Sequence, residues 1–125
     1  MSECCENSGP SVLFYACSGG ANVAEVADLA ARKLASEGCG GMFCLAGLGA
    51  DIDGMVQTAR DADLNVVIDG CPMDCAKKIF DRHGLTNYKQ VKVTDLGIEK
   101  VKGIRCTEEQ VDITVAKARE ALTEA

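Results

Sequence analysis

Apolar positions along this chain follow two spacings in turn. Short runs of strand type occur at Ser11–Ala16, Met42–Leu45, Asn65–Asp69 and Gln90–Thr94. Between them, apolar residues recur at helical intervals. In Asn22–Ser36 these are Val23, Val26, Ala27, Ala30 and Leu34, while Glu25, Asp28, Arg32 and Lys33 take the other face. Asn22 reads as an N-cap and Gly38 as a helix stop. Asp51–Ala62 reads as a second helix, weakened by Gly54, with Ile52, Met55, Val56 and Ala59 turned inward. A third helix opens at Pro72, which suits a first helical turn, and runs to Arg82 or His83 before Gly84. Thr107, Glu108, Glu109 and Gln110 have the capping-box pattern of a helix start. The helix behind them turns Val111, Val115, Ala118 and Leu122 inward.

Strand and helix thus alternate four times. Such alternation predicts parallel strands joined by right-handed crossovers, with helices on both faces. The expected fold is a single three-layer α/β domain over residues 11–125. Its four-stranded parallel sheet has the order 2-1-3-4. Residues 1–10, closed by Gly9 and Pro10, read as a flexible polar tail. No repeat, low-complexity tract or linker divides the rest.

Size and charge narrow the function. A chain of 125 residues buries roughly two thirds of its unfolded surface and can hold a core without staples. The net charge of -6 opposes phosphate backbones and anionic lipid, so neither nucleic acid nor a membrane is an expected partner. The acidic start of the chain lacks the basic and apolar regions of a secretory signal, and no apolar run approaches a membrane span. The expected location is the cytoplasm.

Eight cysteines then need a reading. In a reducing compartment they point to metal binding or thiol chemistry rather than to a disulfide framework. Cys17 directly follows the first strand, Cys44 lies near the end of the second, and Cys71 follows the third. Cys75 is placed one helical turn beyond Cys71. All four fall at the carboxyl edge of the predicted sheet, where open α/β sheets bind ligands at the reversal of strand order. Four thiols gathered there form the tetrahedral sulfur set that zinc favours. Any one of these cysteines alone is equally well explained by core packing. Their coincidence on one edge is the signal.

Other residues carry less. The turn Cys17–Asn22 resembles the loop of a cysteine-based phosphatase or arsenate reductase, but no Arg follows Cys17 within it. Its glycines are equally explained by a tight turn. His83 suits a helix C-terminus, and Lys77, Lys78 and Arg82 suit a solvated face. Cys4 and Cys5 lie in the tail, Cys39 at the opposite edge of the sheet, and Cys106 before the last helix. Asp69 is placed to tie down the Gly70–Pro72 turn or to orient a ligand cysteine from behind.

The segment Ile68-Asp69-Gly70-Cys71-Pro72-Met73-Asp74-Cys75-Ala76-Lys77-Lys78 resembles the central motif of the DGC-domain family, described as zinc-binding. Ala16-Cys17-Ser18-Gly19 and Phe43-Cys44-Leu45-Ala46-Gly47-Leu48-Gly49 resemble that family's two upstream motifs, and Val93-Thr94-Asp95-Leu96-Gly97 its downstream one. The likeness covers roughly residues 12–100. It implies four chelating cysteines, which map to Cys17, Cys44, Cys71 and Cys75, and it implies zinc. It implies no reaction.

Three functions follow as expectations. The first is a zinc-binding protein for metal handling, sensing or binding of a small anion or other ligand. The second is a thiol redox enzyme or reductase with Cys17 or Cys71 as nucleophile and Cys75 as resolving thiol. The third is an iron–sulfur protein, since four thiolates also suit a cluster. Spacing does not separate zinc from a cluster. The resemblance favours zinc, and ferredoxin-type spacing is absent.

Overall fold

A computed structural model describes residues 11–123 of the chain. The tail expected at 1–10, with Cys4 and Cys5, lies outside the described residues. The elements are β1 (Val12–Ala16), α1 (Asn22–Ser36), β2 (Gly41–Met42), α2 (Leu45–Gly49), α3 (Asp53–Asp61), β3 (Leu64–Asp69), α4 (Cys75–Arg82), β4 (Tyr88–Lys92) and α5 (Glu108–Thr123). A short 3-10 turn, Val93–Leu96, follows β4. The four strands form one sheet in the order β2-β1-β3-β4, and every pairing is parallel. The sequence expectation for fold class and strand order is met.

Strand alternation builds two cores. Phe14, Val66 and Ile68 face one side and pack with α1 and α5 through Val23, Val26, Leu34, Val111 and Val115. Tyr15 and Val67 face the other side and pack with Leu48, Val56, Ala59 and Phe80 of α2, α3 and α4. Phe80 and Leu34 are fully buried, and each such side chain stabilises the fold by about 2 kcal/mol. The Tyr15 and Phe80 rings meet edge-on at 4.9 Å. The Tyr15 hydroxyl donates to Asn65 Oδ1 at 2.8 Å, and Asn65 Nδ2 donates to Ala59 O at 2.9 Å, so these buried polar groups are satisfied.

Several boundaries differ from the sequence reading. β2 is only two residues long, and Leu45 starts a helix instead of ending a strand. The helix expected at Asp51–Ala62 is present as α3, and a left-handed Asp51 (φ 62°) separates it from α2, which the sequence reading did not include. Ile52, expected to point inward, flanks α3 and is half exposed. β4 begins and ends two residues earlier than expected, and Val93 and Thr94 enter the 3-10 turn.

The largest difference lies before α4. Pro72 does not open that helix. Asp74 adopts a left-handed conformation (φ 55°, ψ 44°) and its N–H closes a turn onto Cys71 O at 3.1 Å, so the helix starts only at Cys75. Cys71 and Cys75 therefore do not share a helical turn. Asn22 likewise is not the flanking residue of α1; Ala21 is, and Asn22 stands inside the helix with its side chain turned elsewhere.

Candidate metal centre

The site is built where strand order reverses. β2 lies on one side of β1 and β3 on the other, so the loops leaving β1 and β3 diverge to opposite faces above a shared edge. Cys17 follows β1 and stays in the ladder by one bond, its N–H donating to Ile68 O at 3.1 Å. Across that edge, Gly70 N–H donates to Cys17 Sγ at 3.1 Å. Gly70 must be glycine: a Cβ there would lie 2.9 Å from the carbonyl group of Val23. The bare backbone lets the first turn of α1 rest directly on the end of β3.

Asp69, the last residue of β3, is buried at 1 % exposure. Its Oδ1 accepts Ala76 N–H at 2.7 Å and its Oδ2 accepts Lys77 N–H at 3.1 Å. The first turn of α4 is thus capped from the neighbouring strand, not from its own flanking residue. Gln90 Nε2 of β4 donates to Asp69 Oδ2 and to Asp74 Oδ1, both at 2.9 Å. Lys92 pairs with Asp74 at 3.0 Å, and that lysine holds the Asp74 carboxyl below its ordinary range. Asp69 thus orients the start of α4, the element that carries Cys75.

Three of the four predicted cysteines come together. Cys17, Cys71 and Cys75 line one cavity of about 380 Å3 above the end of β1 and β3. Cys17 and Cys71 are half-buried, whereas Cys75, as the first residue of α4, is exposed. Burial pushes the Cys17 thiol up to about 11; the Gly70 N–H opposes this, and negative charge at Asp69, Cys75 and Cys71 adds to it. Cys71 Sγ accepts Lys100 Nζ at 3.5 Å.

Cys44 stands apart. It is exposed, flanks α2, and does not line that cavity. However, α2 and α4 pack side by side. His83 Nε2 lies 2.7 Å from Leu48 O, and Arg82 Nη2 donates to Gly49 O at 3.2 Å. Both helices start from the carboxyl edge of the sheet, Cys44 at one start and Cys75 at the other. Among the described residues, no three His, Cys, Asp or Glu side chains are already gathered at metal-binding distances. The donor chemistry fits zinc, four thiols on one edge and three on one cavity wall. Closing them around a metal requires the exposed thiols to turn inward.

The remaining candidates fall outside. Cys39 is buried beyond the end of α1, at the far edge. Cys106 packs against the α1–α5 core, and its N–H donates to Glu25 Oε1 at 2.9 Å. Burial pushes its thiol up, with Glu25 adding to the effect. His83 belongs to the α2–α4 contact, 3.3 Å from Asp51. The glycines of the Cys17–Asn22 turn are not needed for a tight turn. Neither Gly19 nor Gly20 has positive φ, and a Cβ at either meets no close neighbour.

Sequence reasoning missed the strap over the site. The segment from Glu99 to Gly103 crosses the start of α1. Asn22, at 4 % exposure, donates from Nδ2 to Glu99 O at 2.9 Å and accepts Val101 N–H on Oδ1 at 2.7 Å. Asn22 N–H donates to Val101 O, and Gly103 N–H to Gly20 O. The strap carries Lys100 and Lys102 to the cavity rim. A polar residue at the start of an apolar helix face was the one visible signal, and capping absorbed it.

An α/β domain with doubly wound parallel strands and a thiol-lined crevice at the switch point is the class that this geometry defines. Residues 13–118 match the DGC domain, and the chain belongs to that family. It is 32% identical over 114 residues to the "Anaerobic and virulence modulator AnvM" of Pseudomonas aeruginosa, across 91% of this chain and 87% of that protein. No solved structure matches the chain. Among the described residues, no helix is long and apolar enough to cross a membrane.

Proposed function

We propose that this protein is a cytoplasmic zinc-binding regulator in which Cys17, Cys44, Cys71 and Cys75 hold one zinc ion. The observation that carries the reading is the convergence of Cys17, Cys71 and Cys75 on one cavity at the switch point. Zinc would hold the four thiolates together, and so tie the loops after β1, β2 and β3 to the start of α4. The chain's own residues supply the rest. Asp69 fixes the α4 start, Gly70 fixes the Cys17 loop against β3, and Lys100 offsets negative charge at Cys71. The name of the Pseudomonas relative, a modulator, supports a regulatory role over a catalytic one.

The fold does not need zinc as a staple, because two buried cores flank the sheet. After chelation, circular dichroism should retain most of the helical signal. Metal analysis of protein purified without added zinc should give about one zinc per chain, with sulfur coordination by X-ray absorption. Cys71→Ser should lower that content. Coordination mainly by nitrogen or oxygen would overturn the ligand assignment. A brown protein with visible absorption would assign an iron–sulfur cluster instead. Metal-free protein whose Cys17 and Cys71 react rapidly with iodoacetamide at neutral pH would favour the thiol-enzyme reading.

A further inference from the structure

Acidic residues number 19 in this chain, yet among the described residues none lines the thiol cavity. The cavity has Lys100 and Lys102 on its rim, three thiols on one wall, and apolar and glycine residues for most of the rest. Its volume of about 380 Å3 suits a small organic molecule. A second cavity of about 540 Å3 shares Cys17 and the Gly19–Gly20 turn with it and is lined further on by Glu25, Asp28 and Arg105. Among the described residues the charged side chains lining the thiol cavity are thus both lysines, in a protein whose overall charge is negative.

The lysines are not on a loose loop. Asn22 holds the strap on both sides of Lys100, at Glu99 and Val101, and Gly103 is held by Gly20. Ala21 pairs with Lys102 in an isolated antiparallel bridge. The backbone of both cations is fixed before any ligand arrives, which lowers the cost of binding. Gly20 lines the same cavity, and a Cβ there meets nothing within 4 Å.

We infer that this cavity is a binding site for a small organic anion, whose charged group pairs with Lys100 and Lys102 and whose apolar body fills the space beside Cys17 and Met73. The backbone of the site is preformed by the strap, and the site shares Cys17, Cys71, Cys75 and Lys100 with the metal reading. An organic phosphate and a carboxylate share this chemistry.

Isothermal titration of the full chain, zinc-loaded and chelated, tests the site with phenyl phosphate, phenylacetate, benzyl alcohol and inorganic phosphate. At least one aromatic anion should bind about tenfold more tightly than both benzyl alcohol and inorganic phosphate. The tighter of phenyl phosphate and phenylacetate identifies the preferred head group. Lys100→Met and Lys102→Met should each weaken that anion about tenfold. Gly20→Val, whose Cβ meets nothing within 4 Å, should abolish binding while the melting temperature stays unchanged. Benzyl alcohol binding as well as the anions, lysine variants binding as well as the parent, or full binding by a folded Gly20→Val would each overturn the inference. Zinc content measured on the same samples keeps the two readings apart. Anion binding without zinc sustains this site alone, and zinc without anion binding removes this site alone.

Discussion

Helices α4 and α5 begin in contrasting ways. At α5, Thr107 Oγ1 accepts Gln110 N–H at 3.2 Å and Thr107 N–H donates to Gln110 Oε1 at 3.0 Å. That reciprocal cap is local, complete within four residues, and visible in the sequence. At α4, Asp69 caps from the end of β3, seven and eight residues before the amides it satisfies, and Gln90 holds Asp69 from β4. The local pattern there, Pro72 in a helical register, misleads. A helix start set by its own residues only ends a helix well. A start set by two strands fixes that helix to the sheet, and here it carries a site cysteine.

The contrast can be broken first at Asp69. Asp69→Ala leaves the buried Ala76 amide, the part-buried Lys77 amide and one Gln90 amide donor without their acceptor. Urea unfolding should show a loss of about 3 kcal/mol. Metal content should fall with it, since Cys75 begins the same turn. A loss no larger than that at a local cap would mean that α4 is held by Phe80 packing alone.

Thr107→Ala removes only the side-chain half of a local cap and should cost about 1 kcal/mol, with metal content unchanged. Gln110→Ala removes the reciprocal bond on the exposed side and should cost about 0.5 kcal/mol. If Thr107→Ala or Gln110→Ala emptied the thiol site, the two helix starts would be coupled, and the contrast between them would fail.

The smallest effect is set by pH. Arg105, with the N–H of Cys106, holds the Glu25 carboxyl down to about 2 from an ordinary 4.5, and so ties the residues just before α5 to α1. A depressed folded value means stability that is present above the unfolded value and lost as pH falls through the folded one. The urea midpoint of the parent should therefore approach that of Glu25→Gln between about pH 4.5 and pH 2, and differ from it above. Parallel curves across that range would show that Glu25 is not what anchors this loop.

The resemblance and the strand-end argument selected the same four cysteines from sequence, and the structure places three of them together. The fourth, Cys44, was assigned to a strand end because Met42–Leu45 reads as an apolar run. Leu45 and Leu48 instead turn onto the α4 face as a short helix, and Cys44 goes with them. Cys71 was assigned to a helical turn because proline is favoured there. The left-handed Asp74 stops that, stabilised by Lys92 and Gln90 from a strand that lies fourteen or more residues further along.

The sequence by itself determined the alternation of four strands with helices, the parallel sheet with order 2-1-3-4, the faces of α1 and α5, the α5 cap, and the edge on which Cys17, Cys71 and Cys75 meet. Each depends on periodicity or on residues a few positions apart, and local sterics and hydrogen bonding act over that range. Only the tertiary structure decided where α4 starts, that Asp69 caps it, that Asn22 holds a strap instead of a helix end, and that the strap brings Lys100 and Lys102 to the thiols. Those contacts span from seven to almost eighty residues of chain. They exist only once the sheet has brought distant segments together, because a buried carboxylate or amide takes the partner that packing supplies rather than the one nearest in sequence.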